Sequence, residues 1–272
     1  MQDVALALNM HDPIGSLKNF IPTYFPLLSK TYSGMYVVAT SATDATTIEE
    51  LEKFGVSVEL QEGGGVGLEY IGDARRQALR SSVRNGHSHT HFIDIDRLIR
   101  WLQTYPDELN SIVKQIPSYD FLIIGRTQRA FDTHTRCQME TERLANKVCS
   151  LILGQEVDIT AASRGLSKGA SETILKYSKA RYVETDSEWP VIIHCCSNTP
   201  IGYREAEGLG FEAGVRHSDE VEIAGGFEAF KKIVDNSPES WLHRIRYAMG
   251  ISATAISTYE SLKRKSDIDE HV

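Results

Sequence analysis

Two carboxylates spaced i, i+2, Asp94 and Asp96, close the apolar run Thr90-His91-Phe92-Ile93 and lead straight into a helix-like segment over residues 97–102. In an extended chain that spacing points both side chains to the same side. At the carboxyl end of a buried strand it sets two hard oxygen ligands at the rim of a sheet. Open α/β folds bind ligands there, and Mg²⁺ or Mn²⁺ can meet a diphosphate. A D-x-D pair recurs widely, however, and a strand-end Asp also serves to cap the helix after it. The surrounding chain must decide between the two.

The elements needed to hold such a pair are present. Apolar runs at 4–8, 35–39, 56–60, 90–93 and 121–125 read as strands, and the periodic segments 47–54, 73–84, 107–114 and 132–153 read as helices. Ser16 is a cap for an irregular helix through Leu17, Phe20, Ile21, Tyr24 and Leu28, broken up by Pro22 and Pro26. A glycine loop spans 62–67, a helix ends near Tyr177, and 191–196 reads as another buried strand. This alternation predicts an α/β fold with a mostly parallel sheet covered by helices on both faces. Residues 1–200 form the expected main unit. Residues 201–272, Gly-rich and then helical, form an extension packed on the same domain. In it Trp241, Ile245, Ala248, Ile251, Ala255 and Tyr259 recur at helical spacing, as a core face or a homo-oligomer contact.

Taken in order, these pieces resemble the GT-A class of nucleotide-diphospho-sugar glycosyltransferases, and among them the family-2-like enzymes that include the dolichyl-phosphate mannose synthases. Ser41-Ala42-Thr43-Asp44-Ala45-Thr46 is similar to the family's S-x-D-x-T run, and Gly72-Asp73-Ala74-Arg75 to its G-x-A-R helix start. Asp94-Ile95-Asp96 matches its metal-binding D-x-D, and Asp158 to Ser167 is similar to its D-x-x-S-G-x-R segment. The first strand turn reads Asn9-Met10-His11-Asp12 where the family has P-x-x-N-E. Ala161-Ala162-Ser163 stands in place of an S-G pair, and the family's membrane helices are absent.

The resemblance implies a Mg²⁺- or Mn²⁺-dependent transfer of a sugar from a nucleoside-diphosphate donor to an acceptor. Asn9, His11, Asp44, Gly72, Arg75, Asp94 and Arg164 fall where donor-binding groups belong. Asp96 is the direct metal ligand, with Asp94 its neighbour and His217, in a polar loop, an added ligand. Asp44 is equally a helix cap, Arg75 equally a surface partner of Glu69 or Asp73, and Arg164 and His217 equally solvated loop residues. A base for the acceptor hydroxyl falls to Asp158, Asp186 or Glu188. The last two flank Ser187 before Trp189, where an indole could raise a carboxyl pKa or the segment could be an exposed acidic loop. His194 reads as a core histidine.

Composition narrows the classes. A net charge of -8 argues against nucleic-acid binding by phosphate neutralisation. No apolar span approaches the roughly 20 residues of a membrane helix, and no signal peptide is legible at the amino terminus. Cys137, Cys149, Cys195 and Cys196 form no C-x-x-C pair, with the last two expected as buried thiols in a reducing, cytoplasmic setting. Two alternatives stand beside the transferase. One is a haloacid-dehalogenase-like phosphatase with Asp94 as nucleophile and Asp96 as acid/base. The other is a non-catalytic nucleotide-sugar binder on the same fold.

Overall fold

In the computed structural model, which describes residues 3–64 and 70–269, the strand β1 (Val4–Met10) is buried along its whole length. Its side chains alternate between two cores. Val4, Leu6, Leu8 and Met10 pack with α1 (Ile21–Leu28) and the helices on that face, while Ala7 meets the other face. β2 (Gly34–Ala39), α2 (Ala45–Lys53), β3 (Ser57–Leu60), α3 (Ile71–Arg84) and β4 (His89–Ile93) follow, and the first four strands pair in parallel in the order β3-β2-β1-β4. On α3, Ala74 and Ala78 face Ala7, so the small side chains let helix and sheet approach closely.

The chain then covers the first face with α4 (Ile95–Thr104) and α5 (Pro106–Val113) before entering β5 (Phe121–Arg126). Next come α6 (Gln128–Asp132), the long α7 (Arg136–Leu153), β6 (Ser163–Ser167), α8 (Lys168–Tyr177), α9 (Thr185–Cys196) and β7 (Gly202–Ala206). β6 inserts antiparallel between β4 and β5, and β7 adds parallel to β5, which completes the seven-stranded order β3-β2-β1-β4-β6-β5-β7. The short α10 (Ala213–Arg216), α11 (Ser218–Ile223) and α12 (Phe227–Asp235) precede α13 (Pro238–Asp269). α13 lays Ala248, Ile251 and Ala255 into the second core, against α7 and α9. No helix among the described residues is long and apolar enough to cross a membrane.

Three local expectations are corrected. Residues 191–196 are the second half of α9 and not a strand. An apolar run of that length has no periodicity that separates the two, and Pro190 inside the segment argued against a helix. The helix tolerates it because Asp186 O, the carbonyl that an amide at 190 would have bonded, accepts instead from Arg164 Nη2 at 3.1 Å. On a helix the run no longer buries every residue: Val191, Ile192 and Ile193 are inside, whereas His194 and Cys196 are exposed and Cys195 is half-buried. Ser16 opens only a 3₁₀ turn, Ser16–Asn19, held by Asp12, whose carboxylate accepts from Ser16 N at 2.9 Å and Leu17 N at 3.2 Å. α1 begins at Ile21, with Pro22 tolerated in its first turn. Finally, the Gly-rich stretch after 200 supplies the edge strand β7.

Candidate active site

A cleft opens at the carboxyl ends of β1, β2 and β4 and divides into two cavities. The smaller, about 280 Å³, is lined by Asn9, His11, Thr40, Gln61 and Asp96. The larger, about 330 Å³, lies toward α7, α9 and α13 and is lined among others by Arg75, Glu142, Asp186 and Tyr247. Ile71, Asp94 and His217 border both.

β4 stops at Ile93 because Asp94 turns the chain into α4, and Asp94 occupies the N-cap position without capping through its side chain. Its carboxylate accepts instead from Arg75 Nη2, at 3.1 Å and 3.0 Å to the two oxygens. Asp96 sits in the first turn of α4 on the smaller cavity, with Oδ1 accepting from Arg97 N at 2.8 Å. Among the described residues no three His, Cys, Asp or Glu side chains are gathered as a ready metal cluster. The donor set nevertheless fits Mg²⁺ or Mn²⁺, since such ions are commonly held by one or two carboxylates completed by substrate phosphate oxygens and water.

Arg75 ties the two cavities together. Its Nη1 donates to Asp186 Oδ1 and Thr185 Oγ1, each at 2.8 Å, while Nη2 holds Asp94. The guanidinium is buried and lies 5.7 Å from the centroid of Phe92. It therefore has neither a surface setting nor a pairing with Asp73; that carboxylate goes to Arg76, which turns toward Ser178 and Ala180. Asp186 is 7 % exposed, on a helix and not in a loop, and burial raises its carboxyl pKa above the usual range despite Arg75 and Arg164. Arg164, buried under this pair, donates to Ile159 O and Asp186 O and faces neither main cavity.

The other carboxylates have structural partners. Asp158 is clamped by Arg126, the last residue of β5, through Nε at 2.7 Å and Nη2 at 2.8 Å, and it also accepts from Asn146 Nδ2. Burial works against its charge, but Arg126 overrides this and holds its pKa below the ordinary range. Glu188 points away from the cleft and accepts from Lys179 N at 2.7 Å and Ala180 N at 3.0 Å, pinning the linker ahead of α9. Asp44 caps α2, accepting from Thr46 N at 2.9 Å and Thr47 N at 3.2 Å, and lines neither cavity. Gly72 meets the same linker: its N donates to Arg181 O at 2.9 Å, and a Cβ there would collide with Ala180 O.

The smaller cavity holds groups awaiting partners. Asn9 Oδ1 and Gln61 Oε1 are buried without a hydrogen-bond partner among the described residues, while Gln61 Nε2 donates to Tyr70 O. His11 Nδ1 lies 2.8 Å from Thr40 Oγ1. His217 is half-exposed between the cavities, 3.3 Å from Glu220 Oε1 and packed on Phe230. Sequence reasoning missed Gln61, although it follows β3 just as Thr40 follows β2 and Asn9 lies next to the end of β1. It also missed the clamp at Arg126. Strand register places Ser163 opposite Ile93, so Ala162 adjoins Asp94. Ala162 is the only non-glycine among the described residues with positive φ, 52°, where the resembling family carries glycine.

No protein-family model matches the sequence, and no curated protein matches it. Solved structures do. One structure of glucosyl-3-phosphoglycerate synthase from Mycobacterium tuberculosis is similar at a TM-score of 0.61 and 14% identity, over 94% of this chain and 80% of that one. The same enzyme with Mn²⁺, uridine diphosphate and phosphoglyceric acid is similar at 0.59 and 14% identity, over 94% and 78%. Its complex with Mn²⁺, uridine-diphosphate-glucose and glycerol 3-phosphate is similar at 0.57 and 14% identity, over 94% and 80%. A phosphatase fold would open on the strand bearing its nucleophile, whereas Asp94 follows the fourth strand and both of its oxygens are engaged by Arg75. Sheet order, crossovers and likeness agree: this chain has the GT-A-like fold of nucleotide-diphospho-sugar glycosyltransferases.

Proposed function

We propose that this chain is a Mg²⁺- or Mn²⁺-dependent glycosyltransferase that moves a sugar from a nucleoside-diphosphate sugar to an acceptor hydroxyl. The observation that carries this reading is the pair Asp94 and Asp96 at the carboxyl end of a central strand, Asp94 bordering both cavities and Asp96 the smaller one. The likeness to structures in complex with Mn²⁺ and uridine diphosphate supports it. The smaller cavity takes the nucleotide, with Asn9 and Gln61 offering carbonyl oxygens to base or ribose donors. Asp96 would hold the metal directly, with Asp94, fixed by Arg75, and His217 as its neighbours. A divalent cation there neutralises charge on the departing diphosphate.

Arg75 acts as a positioning residue: one guanidinium fixes Asp94 in relation to Asp186. Asp186 is the carboxylate of the larger cavity whose burial favours taking up a proton, so it is assigned as base for the acceptor hydroxyl. Asp158 and Glu188 hold backbone and neighbouring side chains in place. The described cysteines form no disulfide, which suits a reducing, cytoplasmic setting.

Calorimetry with nucleoside diphosphates, with and without Mn²⁺, tests the reading. Metal-dependent binding that Asp96→Ala abolishes is the expected result, and no nucleotide binding under any condition sinks it. Binding without donor hydrolysis or transfer favours a non-catalytic nucleotide-sugar binder.

A further inference from the structure

The larger cavity has a wall for which the transfer chemistry has no use. Tyr182, from the linker before α9, and His243 and Tyr247, from α13, line its outer side. The two tyrosine rings meet edge to face with centroids 5.2 Å apart and their hydroxyls hydrogen-bonded, and the His243 ring centroid is 4.2 Å from that of Tyr247. None of the three is buried.

The cations of the same cavity are already engaged. Four carboxylates, Asp94, Glu142, Asp186 and Glu212, face three guanidiniums, and each guanidinium already lies beside a carboxylate. Arg75 is 2.8 Å from Asp186, Arg244 is 3.8 Å from Glu142, and Arg97 is 4.0 Å from Glu212. Two further buried guanidiniums reach the cavity's carboxylates, Arg126 at 2.7 Å from Glu142 and Arg164 at 3.6 Å from Asp186. A phosphorylated acceptor would have to compete with these carboxylates for cations they already hold. Hydroxyl groups fare better, because ionised carboxylates accept hydrogen bonds without donating any. Aromatic rings at the mouth give the apolar C–H face of a sugar a surface to stack on, and their polar ends can stay hydrated.

We propose that the larger cavity takes an uncharged polyhydroxy acceptor, a sugar or glycoside, held by the Tyr182–Tyr247–His243 wall and the cavity carboxylates. This departs from the phosphorylated compounds bound in the similar structures. It rests on the transferase reading for the word acceptor, but the binding site itself does not.

The test uses the full chain with Mn²⁺ and uridine diphosphate. Ligand-observed NMR and calorimetry measure binding of methyl glucoside, glycerol 3-phosphate, phosphoglyceric acid and an aminoalcohol. Methyl glucoside should bind saturably and at least about tenfold more tightly than either phosphorylated compound, because a phosphate must displace a carboxylate from its guanidinium. Tyr247→Ala and, separately, His243→Ala should each weaken glucoside binding by roughly tenfold, the scale of one lost aromatic contact, and leave uridine diphosphate binding in place. His243 is exposed, so that variant keeps the test sound if Tyr247→Ala disturbs folding. Tighter binding of the phosphorylated compounds or of the amine, glucoside binding indifferent to both variants, or no binding of any of the four overturns the proposal. Glucoside binding on this wall with no nucleotide binding removes the transferase reading and keeps the carbohydrate site.

Discussion

Replacing Arg75 with methionine removes a buried cation and keeps most of its volume, so the cost falls on the carboxylates left without it. The guanidinium makes four hydrogen bonds, two to Asp94, one to Asp186 and one to Thr185. The two carboxylates are not equal. Asp94 is at the cleft with 17% of its side chain exposed and can recover hydration, whereas Asp186 has 11% exposed and a second cation, Arg164, 3.6 Å away. Breaking a buried pair by removing one partner costs about 3–5 kcal/mol, chiefly through the stranded charge. In a protein of this size that lowers Tm by roughly 5–9 °C.

The cost depends on pH with a definite sign. Burial raises the pKa of Asp186, so the folded protein takes up a proton there before the unfolded chain does. Stability lost through Asp186 therefore grows as pH rises from the ordinary carboxylate range through the raised value, and is relieved below it. Arg75→Met should be most destabilised near neutrality. Adding Asp186→Asn should recover about half of the loss by removing the stranded charge. Thermal melts of the wild type and the single and double variants from acid to neutral pH measure this directly. A loss below about 1 kcal/mol, or no recovery in the double variant, refutes the view that Arg75 holds a charge that cannot otherwise be accommodated.

Other contacts give further expected outcomes. Arg164→Met should cost about 1–3 kcal/mol by orphaning Asp186 O, and less in a Pro190→Ala background, where the restored amide serves that carbonyl; a double-mutant cycle in urea reads the coupling. Gly72→Ala should destabilise by about 1–3 kcal/mol, because its Cβ would press on Ala180 O, and should raise the acceptor KM by displacing the linker that carries Tyr182. Leu242, Ile245, Met249 and Ile256 share one exposed face of α13, which we propose for self-association. Light scattering should show a dimer that Met249→Lys dissociates, and a monomeric wild type would rule this out.

The parallel half of the sheet was legible because its strands are apolar runs ending in polar turns, as at Ile93-Asp94. What pairs with Asp94 was not: the contact from Arg75 to Asp186 spans 111 residues, and nothing local in either segment announces it. α9 was misread because periodicity is silent over so short and largely apolar a run and the helix's broken bond at Pro190 is mended by Arg164, in β6. β7 escaped notice because Gly-Tyr-Arg-Glu-Ala is an edge strand with only its last residue buried. The aromatic wall likewise depends on α13 folding back over the cleft, which no local pattern specifies.

The position of β7 and α13 has a consequence for the order in which the molecule is made. During synthesis, amino-terminal segments emerge first and begin to fold. Here β5 waits for residues 202–206 before its outer edge is paired, and the cavity of Asp186 waits for α13 before it has its outer wall. The nucleotide-side half of the cleft can thus be assembled well before the acceptor-side half. Until the last quarter of the chain is released, the nascent protein carries an open strand edge and an uncovered face of α7 and α9.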